Sequence, residues 1–113
     1  DDTTGMINSD ALAKMKDGVR IINAARGALI NDVDLASALE SGKVAGAAVD
    51  VYAQEPPPAD HPLIKFDTVI DTPHLAASTI DAQITVAVQA AEQIIAALQN
   101  GEYVHVVNPA VLD

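Results

Sequence analysis

Val44-Ala45-Gly46-Ala47-Ala48-Val49-Asp50 is the stretch whose reading decides the fold. Six small or β-branched apolar residues follow one another without the in-and-out alternation of a strand that wets one face. Runs of this kind suit strands buried on both faces, as in parallel sheets, and the charge of Asp50 ends the run. Upstream, Val19–Ile22 reads as a second strand, bounded by Gly18 and Asn23. Downstream, Thr68–Ile70 reads as a third, leading into Asp71-Thr72-Pro73-His74. Between the first two strands Asn31 can cap a helix, with Asp32 in the positive first turn and Asp34 as a capping-box acid. That helix carries Val33, Leu35, Ala36 and Leu39 and closes at Gly42, a left-handed stop.

The flanks extend the pattern. Ser9 is the expected cap of a short helix from Asp10 to about Met15, ended by Lys16-Asp17-Gly18. Ala24 to Gly27 is a loop, and the four prolines between Glu55 and Pro62 force another. Ser78 with Asp81 marks the start of a long helix that runs to Asn100-Gly101. Its ladder of Ile80, Ile84, Val88, Ala91, Ile95 and Leu98 predicts one packed face. Residues 103–113 read as an extended tail, interrupted by Pro109. The alternation of helices and strands predicts an α/β layer with parallel strands.

Composition narrows the possibilities further. With 113 residues the chain is at most one domain, and with 50% apolar residues it can build a core. Its three aromatic residues leave that core to Ala, Val, Ile and Leu. A formal charge of −10 argues against nucleic acid and anionic membrane surfaces as partners. The most apolar stretch, Ile84 to Leu98, is broken by Gln89, Glu92 and Gln93, so no membrane element is expected. The absence of cysteine fits a cytoplasmic setting, and the first residues lack the pattern of a signal peptide. No His/Asp/Glu cluster has metal-ligand spacing.

In open α/β sheets ligands bind beyond the carboxyl ends of the strands. Three loops leave those ends here, and each carries one chemically useful side chain: Arg26, Glu55 and His74. A guanidinium can grip a planar carboxylate through two parallel bonds. A carboxylate beside an imidazole favours the imidazolium and fixes the ring for proton transfer near neutral pH. The three are expected to converge on one cleft. His61 and His105 lack such a context and are read as structural.

Three ordered blocks carry a resemblance. Met15-Lys16-Asp17-Gly18 through Asn23-Ala24-Ala25-Arg26-Gly27 to Asn31, then Gly42 to Tyr52 with Glu55-Pro56, and finally Pro73-His74-Leu75-Ala76-Ala77-Ser78-Thr79 resemble the NAD-dependent D-2-hydroxyacid dehydrogenases. The last block is most similar to the D-3-phosphoglycerate dehydrogenase branch. The resemblance implies part of a Rossmann-like doubly wound parallel sheet, with residues 1–102 as the C-terminal half of a NAD-binding domain and 103–113 returning to a substrate domain. It implies hydride transfer between NAD and a D-2-hydroxy acid or 2-oxo acid, with 3-phosphoglycerate the expected substrate. A truncated sheet would expose an unpaired strand edge and an apolar flank, so a homo-oligomer is expected. Arg26 would bind the substrate carboxylate and polarise its carbonyl. His74 would act as acid/base, and Glu55 would pair with it and stabilise its imidazolium. Ala24, Ala25, Arg26, Asp50, His74, Leu75, Ala76 and Ala77 would line the cofactor's nicotinamide end. Ala76 stands where the family usually has Gly. The 113 residues hold no Gly-x-Gly-x-x-Gly loop to bring backbone amides to a pyrophosphate. The chain alone is therefore expected neither to turn over substrate nor to hold NAD firmly. The alternative class is a non-catalytic nucleotide-sensing or partner-binding module on the same scaffold.

Overall fold

The computed structural model describes residues 2–108. Packing divides the chain into two units, 1–76 and 77–113. In the first, α1 (Ser9–Lys14), β1 (Val19–Asn23), a 3-10 turn (Gly27–Leu29), α2 (Asp32–Glu40), β2 (Val44–Val49) and β3 (Val69–Asp71) follow in order. The strands form one sheet in the order β1-β2-β3, and both pairings are parallel. In register, Ile22 lies beside Ala48, and Ala48 beside Ile70.

Leu12 of α1, Leu35 and Leu39 of α2, Val44 and Val49 of β2 and Leu63 of the proline loop form one buried cluster. Burying each such side chain contributes about 1.5–3 kcal/mol. A single cluster means that, within this unit, one face of the sheet is covered. The cross-strand row Ile22, Ala48, Ile70 lies on the other, with Ile22 79% and Ile70 66% exposed. The expectation that the apolar run of β2 is buried on both faces is thus met only in part, since Ala45 is exposed and Ala48 half-buried.

Several helix boundaries shift for identifiable reasons. Asn8, not Ser9, caps α1, its side chain accepting from the Ala11 amide. Asn31 caps α2 as expected, accepting from Val33 and Asp34. The capping box does not close, because the Asn31 amide donates to the Ile7 carbonyl and Asp34 turns instead to the Ser9 amide. Gly42 closes the helix at φ +76, a conformation open to glycine without a Cβ clash.

In the second unit, α3 (Ile80–Asn100) is capped by Thr79, whose hydroxyl accepts from the Ala82 amide. Ser78, the expected cap, lies one residue too early. Gly101 ends the helix in the left-handed region. No residue of α3 is buried. The expected packed face is not found: Ile80 is 80% and Leu98 82% exposed. An apolar ladder records a helix's tendency to pack, and among its described residues this unit offers no second helix or sheet to receive it. Residues 103–108 form neither helix nor strand, and the part of the expected tail at 109–113 lies outside the described residues.

Candidate active site

The strand exits are shaped by short polar contacts. After β1, buried Asn23 accepts from the Ala25 amide and donates from Nδ2 to the Arg26 carbonyl, at 3.1 and 3.0 Å. This is an Asx-type turn that sets the course of residues 24–26. Gly27 follows because space demands it: a Cβ there would meet the Tyr52 carbonyl carbon at 2.0 Å. The Arg26 loop is therefore pressed against the chain leaving β2. The exposed Arg26 guanidinium donates to the Ala25 carbonyl at 2.6 Å, and among the described residues it makes no ion pair.

After β2, Asp50 ties two loops together. Its Oδ1 accepts from the Thr72 hydroxyl at 2.5 Å and the Leu75 amide at 2.8 Å, and its Oδ2 from the Ala76 amide at 2.9 Å. The Thr72 hydroxyl, then the Leu75 amide, hold the Asp50 carboxyl below the usual carboxylate range. Two donors on Oδ1 and one on Oδ2 leave Oδ2 with an acceptor position to spare.

Glu55 and His74 meet. Glu55 Oε2 lies 2.8 Å from His74 Nδ1, and Glu55 Oε1 accepts from the Tyr52 amide at 3.0 Å. The contact with His74, then the Tyr52 amide, lowers the Glu55 carboxyl below its ordinary value. His74 has φ +56, a conformation uncommon outside glycine. Its amide donates to the Thr72 carbonyl in this tight turn, which brings the ring onto Glu55. The pair borders a cavity of about 470 Å³ whose walls include Tyr52, Pro56, Ile64, Pro73 and Asp71.

Convergence of all three expected residues is not what the structure has. Glu55 and His74 share the cavity; Arg26 is not one of its lining residues. Its guanidinium turns onto the carbonyl of its own neighbour, an acceptor always within reach. Ala24 and Ala25 border a different concavity, shared with Ile22 and Asn23. Leu75 and Ala76 are exposed, with their amides committed to Asp50. Ala77 begins the second unit, where its carbonyl accepts from Gln83 Nε2. Reading residue types alone missed Asn23, Tyr52, Asp71 and Thr72. A tyrosine beside an aliphatic core, whose hydroxyl must find a partner when buried, was the available signal. His61 is built in: its Nε2 meets Asp32 at 3.1 Å, and its ring stands edge-on to Tyr52, with centroids 4.8 Å apart. Among the described residues no cluster of three metal-ligating side chains occurs, and no helix is long and apolar enough to cross a membrane.

Parallel strands with polar groups gathered beyond their carboxyl ends define a Rossmann-type α/β domain. Comparison with known proteins refines the class. The model of the family described as D-isomer specific 2-hydroxyacid dehydrogenase, NAD binding domain, matches residues 1–76, and the chain belongs to that family. It is 50% identical over 94 residues to a D-3-phosphoglycerate dehydrogenase of Archaeoglobus fulgidus, covering 83% of this chain and 18% of that protein. It is 44% identical over 111 residues to a glyoxylate reductase of Thermofilum pendens, covering 98% and 33%. A crystal structure of a D-isomer specific 2-hydroxyacid dehydrogenase from Xanthobacter autotrophicus Py2, in complex with NADPH and MES, superposes with a TM-score of 0.81 at 37% identity. That match covers 99% of this chain and 46% of the other. The chain thus spans about a fifth to a third of the length of these two curated relatives.

Proposed function

We propose that this chain supplies the acid–base half of an NAD-dependent D-2-hydroxyacid dehydrogenase acting on a 2-hydroxy or 2-oxo acid, 3-phosphoglycerate being the first substrate to test. The observation that carries this reading is the 2.8 Å contact between Glu55 and His74. With Nδ1 turned to Glu55, the Nε2 of His74 is the nitrogen left to exchange a proton with a substrate hydroxyl. Glu55, held ionised by His74 and the Tyr52 amide, stabilises the imidazolium once the proton has moved. Arg26, without an ion pair among the described residues, is the group to bind the substrate carboxylate bidentately and draw charge from the reacting carbonyl.

The residues present fit the nicotinamide end of the cofactor. The spare acceptor position on Asp50 Oδ2 suits a carboxamide N–H, and the chain at Ala24, Ala25, Arg26, His74, Leu75 and Ala76 would line the same end. When bound, NAD supplies the hydride acceptor. In this reading residues 1–102 are the C-terminal half of the cofactor domain and 103–113 lead towards a substrate domain. The setting is cytoplasmic, supported by the absence of cysteine. Self-association is part of the reading too, supported by the exposed Ile22–Ile70 row and the edge position of β1.

The test is a chimera in which this chain replaces the matching segment of the Archaeoglobus fulgidus relative. NADH-dependent reduction of 2-oxo acids is expected, and its loss on His74→Ala. A folded chimera whose turnover is indifferent to His74 would refute the assignment of His74, and a folded chimera without turnover would favour the alternative of a nucleotide-sensing or partner-binding module.

A further inference from the structure

Tyr52 lies three residues past the end of β2, and Asp71 is the last residue of the neighbouring β3. Tyr52 stands three positions before Glu55, and Asp71 three before His74. The Tyr52 hydroxyl donates to Asp71 Oδ1, so the two segments are tied at their roots as Glu55 and His74 are at their tips. We propose that Tyr52, through this bond, is a positioning residue that holds the Glu55 carboxylate against His74. The proposal rests on the acid–base reading given above.

Tyr52 reaches Glu55 by a second route, its own amide donating to Oε1 at 3.0 Å. Tyr52 is 9% exposed, and its ring is braced edge-on by His61, which Asp32 at the start of α2 holds in turn. A residue fixed at ring, hydroxyl and amide has little freedom, and the Glu55 carboxylate inherits that order. The need is evident from the surroundings: both Glu55 and His74 are substantially exposed, and exposed ion pairs are weak unless geometry is imposed on them. Burial, aided by the Asp71 carboxylate, pushes the Tyr52 phenol well above its usual range, so it remains a donor at any physiological pH. The charged groups facing Tyr52 are Asp71 and Asp32, with His61 against the ring.

The experiment is a carbon-13 NMR titration of the Glu55 carboxyl in the 113-residue chain, which needs neither cofactor nor substrate. In the unsubstituted chain the midpoint is expected to lie below the ordinary 4.5. His74→Ala measures the rise when the pair is lost. Tyr52→Phe, which keeps the ring and the net charge, is expected to give at least half of that rise with the circular dichroism spectrum unchanged. Asp71→Ala, which removes the acceptor, is the second variant, and its sign is diagnostic: deleting a nearby negative charge would by itself lower the midpoint, so a rise reports release of the clamp. An unmoved Glu55 midpoint in folded variants, even with a lowered Tm, overturns the proposal, as does failure of both variants to fold. No rise in His74→Ala removes the pair itself, and with it the acid–base reading; a rise there but not in Tyr52→Phe removes only the clamp.

Discussion

At the residue scale, Gly27 and His74 show how sterics and chemistry share a site. Gly27→Ala would drive a Cβ into the Tyr52 backbone, which cannot swing aside as a side chain would. We expect it to destabilise the chain by about 1–3 kcal/mol or more, the range of overpacking, read as a fall in Tm or in the denaturant midpoint. In the chimera, His74→Ala is expected to lower kcat by at least about 10²-fold, the lower end of general acid–base contributions. Arg26→Ala should weaken substrate binding about 10- to 10²-fold, equivalent to the ~1.5–3 kcal/mol of a hydrogen bond to a charged group, read chiefly in KM. The two kinetic signatures separate proton transfer from carboxylate binding.

At the element scale, caps and strand exits carry the order. Asn31 accepts from two amides at the start of α2, so Asn31→Ala should cost about 0.5–2 kcal/mol in chemical denaturation. The Asp50 clamp gives a pH dependence of defined sign. Its carboxyl is lowered in the folded state, so its stabilising contribution is complete above the ordinary value of 3.8 and is lost as pH falls through the folded value. Amide exchange at Leu75 and Ala76 should therefore stay protected down to pH 3.8 and become unprotected only below it. Early loss of protection, near neutral pH, would show that Asp50 does not hold this loop.

At the scale of the whole molecule, surfaces outweigh the core. One sheet face is covered within its own unit, β1 is an edge strand among the described residues, and α3 buries no residue. Apolar surface of this extent drives association. Sedimentation velocity of the purified chain is expected to show a concentration-dependent oligomer; a stable monomer would contradict this. Calorimetry is expected to find no micromolar NAD binding by the chain alone, because its 113 residues contain no Gly-x-Gly-x-x-Gly loop.

What the sequence determined by itself was local and periodic. The unalternating run at Val44–Val49 announced a buried strand, Asn31 and Gly42 marked the ends of α2, and the places of Arg26, Glu55 and His74 just past strand ends marked them as candidates. Each rests on neighbours in the chain, so composition and spacing suffice. The tertiary structure decided what depends on residues far apart in sequence. It set Asp34 on the Ser9 amide instead of its own cap, and turned Asp50 into a clamp for the 72–76 loop. It gave Tyr52 a partner in Asp71, and kept Arg26 out of the cavity that Glu55 and His74 share. A hydrogen-bonding group takes whichever partner the packed backbone brings within about 3 Å, and only the fold says which that is.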